Sequence, residues 1–99
     1  MATSLELDIR NPSGLHARPA AVFVRAACTF QSDIEVENLT TGGAPVTAKS
    51  IIGVLGLGVL TGHRIRLRVD GEDEQPASET LRSLIESGLG EPIDGRECS

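Results

Sequence analysis

Three stretches of this chain alternate apolar and charged residues one for one, and nothing else in the sequence constrains the fold as tightly. Leu5, Leu7 and Ile9 alternate with Glu6 and Asp8. Ile34 and Val36 alternate with Asp33, Glu35 and Glu37, and Ile65, Leu67 and Val69 alternate with Arg64, Arg66 and Arg68. A period of two puts each class of side chain on its own face of a strand. The resulting sheet buries one face under a single covering layer and leaves the other, charged face to solvent. The arginine face and the acidic Asp33/Glu35/Glu37 face are complementary. As neighbours, their cross-strand pairs contribute roughly 0.2–1 kcal/mol each; two separately solvated faces are the alternative.

The segments between these strands supply the covering layer. Ala20, Phe23, Ala27 and Phe30 recur with helical spacing over Ala17 to Phe30, and Pro19 falls in the first turn, where its missing N–H removes no bond. Ser50 to Val59 fits a buried strand or a short helix, and the helical spacing of Ile51, Val54, Leu55 and Gly58 favours a second helix. Gly53, Gly56 and Gly58 weaken it by roughly 1 kcal/mol each. Ala77, Leu81, Leu84 and Ile85 predict a third helix, opened by the acidic Gly71-Glu72-Asp73-Glu74 run and closed by Gly88. Val46 belongs to a short fourth strand, and Pro45 marks it as an edge. The order is β-α-β-β-α-β-α, which predicts a two-layer α/β sandwich. Ninety-nine residues suffice for one domain, assigned to 1–91. Residues 92–99 show no periodicity and are expected to form a flexible tail.

Composition removes several function classes. A formal net charge of −5 opposes general nucleic-acid binding, and two aromatics, Phe23 and Phe30, leave no base-stacking platform. The longest apolar-plus-Gly run, Ile51 to Leu60, is too short to span a bilayer. With no export signal at the N-terminus, a cytoplasmic location is expected, with Cys28 and Cys98 as free thiols. Their spacing fits no metal site, and no metal or cofactor is expected.

The chemistry is concentrated in Ser13-Gly14-Leu15-His16-Ala17-Arg18-Pro19-Ala20. His16 directly precedes a helix N-terminus, whose first amides have no intrahelical partners and, with the helix dipole, favour an anion. Pro19 withholds one donor, so the backbone N–H groups of Ala17 and Arg18 are the expected ones. The Arg18 guanidinium adds a planar cation suited to phosphate oxygens. The positive helix end disfavours imidazolium and favours a neutral, nucleophilic ring. These residues point to a phosphohistidine or a simple anion site; a histidine that merely caps a loop is the bland alternative. Ser13 is close enough in sequence to contact the site. Ser50 is suited to cap the second helix. His63, Glu86 and the acidic start of the third helix are expected to be solvated surface.

Gly14-Leu15-His16-Ala17-Arg18-Pro19-Ala20 resembles the phosphohistidine signature of the HPr family, the phosphocarriers of the bacterial phosphoenolpyruvate:sugar phosphotransferase system. Ala48-Lys49-Ser50-Ile51-Ile52-Gly53-Val54-Leu55-Gly56-Leu57-Gly58 is similar to the family's second signature, and Gly71-Glu72-Asp73-Glu74 and Gly88-Leu89-Gly90-Glu91 match in place and order. The resemblance runs from about Leu5 to Glu91. Leu39 to Val46 is slightly longer than the family's usual turn, and 92–99 extends past its usual end.

This resemblance implies an open-faced β-sandwich, four antiparallel strands covered on one face by three helices, with the second and fourth strands adjacent. It implies a carrier rather than an enzyme. Enzyme I would transfer phosphate from phosphoenolpyruvate to Nδ1 of His16, beside Arg18 and the Ala17 N–H, and the carrier would pass it to the A domain of a sugar-specific Enzyme II. Ser50 would be a regulatory site for an HPr kinase, with a transcriptional regulator as a further partner. Leu15, Ile51, Ile52 and Leu55 would contact partners, and the carrier would be a monomer. The rivals are a carrier of a nitrogen-related or dihydroxyacetone-kinase branch, a small acylphosphatase-type hydrolase, and a purely regulatory module. The hydrolase needs an asparagine to orient water, but neither Asn11 nor Asn38 lies in a matching motif. The presence of His16 argues against the regulatory module.

Overall fold

The computed structural model describes residues 2–91. Its elements are β1 (Thr3–Asp8), α1 (Ala17–Cys28), β2 (Asp33–Asn38), β3 (Val46–Thr47), α2 (Ile51–Gly56), β4 (Arg64–Asp70) and α3 (Glu74–Glu86). The strands form one antiparallel sheet in the order β1-β4-β2-β3, and the helices cover one face. The expected open-faced sandwich and its element order are therefore observed. Among the described residues β3 pairs only with β2, at the edge that Pro45 signals.

The alternation sets which side of each strand is buried. Ile65, Leu67 and Val69 of β4 and Ile34 and Val36 of β2 are buried against Phe23, Leu81 and Ile85 of the helices. Phe23 is the largest fully buried side chain in this otherwise aliphatic core. Phe30 is half-buried and packs at the margin.

On the open face, β4 lies between two acidic strands. The register sets Arg66 opposite Glu6 of β1 and Glu37 of β2, and the guanidinium reaches both, at 3.1 and 3.0 Å. Arg64 pairs with Asp8 at 2.7 Å and Glu6 at 3.4 Å, and Arg68 with Glu35 at 4.0 Å. The Glu6 carboxyl is held below its usual range by hydrogen bonds from Arg66 and then Arg64. The expected β2–β4 pairing is present, and β1 contributes a second set of acids. Asp33 departs from the expectation: the register places it opposite Asp70, because β4 ends its arginine row at Arg68. Exposed pairs of this kind contribute at most about 1 kcal/mol each, so burial carries the fold.

Two boundaries differ from the sequence reading. α1 ends at Cys28, so Phe30 lies beyond it, and the Lys49 ammonium donates to the Phe30 carbonyl at 2.8 Å. α2 has six residues rather than reaching Val59, because Gly58 takes a left-handed backbone (φ +63) just after the Leu57 C-cap. Only Val54 of α2 is buried; Ile51 and Leu55 of the expected apolar stripe are not. α3 ends as expected at Gly88: the Gly88 and Leu89 N–H groups donate to the carbonyls of Ile85 and Leu84, a Schellman arrangement. The expected tail at 92–99, and Cys98 within it, lie outside the described residues. Cys28 is a free, exposed thiol.

The acidic start of α3 is a tether rather than a solvated face. The Asp73 carboxylate turns away from its own helix and accepts the N–H groups of Gln31 and Ser32, at 2.8 and 2.9 Å, and the Ser32 hydroxyl. Glu74 accepts the Thr3 hydroxyl at 2.6 Å. These bonds, led by the Ser32 hydroxyl and then the Gln31 N–H, hold the Asp73 carboxyl below the usual aspartate range. A depressed carboxyl stabilises the fold above its unfolded pKa, and that contribution is lost as pH falls through its folded value. Asp73→Asn is therefore expected to be less stable than the parent at pH 7, by urea denaturation, with the difference shrinking toward pH 3. A pH-independent difference would show that the charge of Asp73 does not contribute.

Candidate functional site

His16 sits at the N-cap of α1 with an extended backbone (φ −134, ψ 161), and its side chain makes no capping hydrogen bond. The ring is half-buried. The loop-capping alternative therefore fails, and the imidazole is left for other chemistry. Ala17 follows with a left-handed backbone (φ +55), which costs a non-glycine residue of the order of 1 kcal/mol or more. Regular helical geometry thus starts at Arg18, which is exposed. Pro19 and Ala20 are buried and fix the first turn to the core.

The loop before His16 is seated on the segment that follows α2. The Leu15 N–H donates to the Val59 carbonyl at 3.0 Å, and the Gly14 N–H to the Asn11 carbonyl at 3.1 Å. Gly14 is left-handed (φ +60), and a Cβ there would lie 2.3 Å from the Val59 oxygen and 2.9 Å from the Leu60 Cα. Only glycine allows both the turn and the close approach. Leu15 is fully buried in the core. This corrects the expectation that Leu15 contacts partners: it is the hydrophobic anchor that holds the loop down, and its neighbour His16 is presented outward as a result.

Glu91 closes the other side of the loop. Its carboxylate accepts the Ser13 N–H at 2.9 Å, the Ser13 hydroxyl at 2.8 Å and the Asn11 side-chain amide at 3.1 Å. The Glu91 carboxyl lies below its usual range, chiefly through the Ser13 N–H, then Asn11 and the Ser13 hydroxyl, with the charge of Arg18 adding to the effect. Ser13 thus serves the loop and not the imidazole. Asn11 is buried, and its amide also donates to the Gly14 carbonyl at 2.9 Å. The roles of Asn11 and Glu91 are not visible in local sequence, because the residues are eighty positions apart.

Ser50 caps α2 as expected, its hydroxyl accepting the Gly53 N–H at 3.1 Å. α2 packs against α1. Ile51, Ile52 and Leu55 are 39%, 81% and 40% exposed, and Leu60, at 54%, extends the apolar surface to the segment under Gly14. The sequence signal for Leu60 is its place at the end of the Ile51–Leu60 run. His63, expected to be a solvated loop residue, is half-buried, and its ring bonds to Leu60 and Asn38. Among the described residues no cluster of His, Cys, Asp and Glu could hold a metal, and no helix is long and apolar enough to cross a membrane.

Gly14→Ala is expected to destabilise the chain by about 1–3 kcal/mol in denaturant unfolding. Unchanged stability would rule out the seating of this loop on Val59 and Leu60.

Comparison with known proteins agrees with this architecture. Residues 3–87 match the family described as "PTS HPr component phosphorylation site". The chain is 46% identical over 85 residues to a multiphosphoryl transfer protein of Haemophilus influenzae, covering 86% of this chain but 17% of that protein's length. It is 44% identical over 86 residues to the phosphocarrier protein HPr of Xylella fastidiosa, covering 87% of this chain and 93% of that one. The crystal structure of HPr-C-His from Thermoanaerobacter tengcongensis superimposes with a TM-score of 0.86 at 44% identity, over 92% of this chain and 99% of that one. With a matching family over most of its length and a matching fold, the chain belongs to the HPr family of phosphocarrier proteins.

Proposed function

We propose that His16 carries a phosphoryl group, taken from phosphoenolpyruvate through Enzyme I and passed to the A domain of a sugar-specific Enzyme II. The observation that carries this reading is the placement of His16. It stands at the start of α1, its imidazole is not used in capping, and Arg18 lies two residues on. In the transfer, the Nδ1 lone pair forms an N–P bond as the bond from phosphorus to the donor breaks. Nδ1 must therefore be unprotonated, with the ring proton on Nε2. The incoming group brings close to two negative charges, met by the Arg18 guanidinium and by the free amides of the first turn, including that of Ala17. Back-transfer and onward transfer need the same geometry, so a rigidly anchored loop suits a carrier.

Partners of this carrier would dock on the exposed apolar surface of Ile51, Ile52, Leu55 and Leu60. Phosphorylation of Ser50 would keep an acceptor at the α2 cap while adding charge beside Ile51 and Ile52, which opposes apolar docking. An acylphosphatase-type hydrolase is not supported: Asn11 and Asn38 are both buried in loop hydrogen bonding.

With phosphoenolpyruvate and purified Enzyme I, the protein is expected to gain acid-labile, alkali-stable phosphate, and His16→Ala none. Acceptance by His16→Ala at the parent rate would overturn the carrier reading. Ser50→Asp is expected to raise the Enzyme I concentration needed for half-maximal transfer without lowering the rate at saturation. An unchanged concentration dependence would remove Ser50 from regulation of this docking.

A further inference from the structure

We propose that His63 is a positioning residue for the His16 site, its imidazole fastening the 57–63 segment on which the His16 loop is seated. The inference rests on the phosphocarrier reading above. The Nδ1 atom of His63 lies 3.1 Å from the Leu60 amide nitrogen and 3.1 Å from the side-chain nitrogen of Asn38. The Asn38 amide has one possible orientation, because its oxygen accepts the N–H groups of Thr40 and Thr41, at 3.0 and 3.2 Å. Its nitrogen therefore faces His63, and it also donates to the Leu57 carbonyl at 3.3 Å. Both groups facing Nδ1 are donors, so Nδ1 holds a lone pair and the ring proton sits on Nε2.

Backbone bonds complete the fastening. The His63 N–H donates to the Leu60 carbonyl at 3.0 Å, the Ile9 N–H to the His63 carbonyl at 2.8 Å, and the Gly62 N–H to the Ile9 carbonyl at 2.6 Å. The held segment then presents the Val59 carbonyl to the Leu15 N–H and the Leu60 backbone to Gly14, one and two residues from His16. A single imidazole thus joins the end of β2, the segment after α2 and, through that segment, the loop that presents His16. It touches neither the phosphoryl group nor the docking helix. Its loss should change how well His16 is aimed, not how partners bind α2.

The test compares the parent with His63→Asn, which keeps an acceptor at the position of Nδ1, and His63→Phe, which keeps the ring without it. With Enzyme I and phosphoenolpyruvate, His63→Phe is expected to lose about tenfold in rate at saturating Enzyme I, where docking through Leu60 no longer limits transfer. His63→Asn is expected to recover most of the rate. A purely structural role would lower the melting temperature of His63→Phe and leave the saturating rate per folded molecule at the parent value, which would overturn the proposal. If His63→Phe does not fold, the parent decides: a long-range proton–nitrogen NMR spectrum is expected to show the Nε2–H tautomer, and an Nδ1–H tautomer would overturn the fastening. Failure of the parent itself to take phosphate on His16 would overturn the carrier reading, while a normal parent with two normal variants would overturn this inference alone.

Discussion

β4 places almost everything else in this molecule. One row of its side chains, Ile65, Leu67 and Val69, is the floor on which the helices pack; the other, Arg64, Arg66 and Arg68, joins the acidic faces of β1 and β2. The two rows act by different physics. The buried row removes apolar area from water and supplies the driving force. The arginine row contributes little energy per pair but sets identity: a one-residue slip of β4 would bury three guanidinium groups and expose the core, so the register has no near competitor.

The placement of β1, β2, β4, α1 and α3 is readable in the sequence because each of these elements carries its own period. The periods of β1, β2 and β4 predict their buried faces residue by residue, and Phe23 and Leu81 lie where helical spacing puts them. Misreadings arose where a residue's role depends on a distant partner. Leu15 reads as a surface apolar residue beside the site, yet the Val59 carbonyl captures its backbone and the core takes its side chain. Asp73 and Glu74 read as a solvated helix start because Ser32, Gln31 and Thr3 are remote in sequence. His63 reads as a solvated loop residue because its partner Asn38, on β2, is remote in sequence. α2 is shorter than its apolar run for a local reason, the left-handed Gly58.

The site divides two duties between neighbouring segments. The loop of Asn11 to His16 is tied down on both sides, to Glu91 and to Val59, and its anchors are buried, so in the proposed transfer the imidazole would need little reorganisation. The surface of Ile51, Ile52, Leu55 and Leu60 is aliphatic and carries no charge of its own. Such a surface can fit more than one partner, because apolar contact specifies shape and area rather than a fixed hydrogen-bond pattern.

The arginine ladder also shapes what a partner senses from a distance. Its three cations are matched by Glu6, Asp8, Glu35 and Glu37, so they add little to the outer field. The cations outside it include Arg18 and Arg25 on α1 and Lys49 just before α2, and no acidic residue occurs from Ile9 through Ser32 or from Leu39 through Val69. Acids gather instead on β1, β2 and the region from Asp70 through Glu91. The charge of the chain is thus unevenly spread along the sequence, and the one carboxylate bonded to the His16 loop among the described residues is that of Glu91. Exposed charges outside the ladder therefore set the field around the molecule. Dissolved salt screens that field over a Debye length of about 8 Å at physiological ionic strength, while the close contacts of the ladder are screened much less.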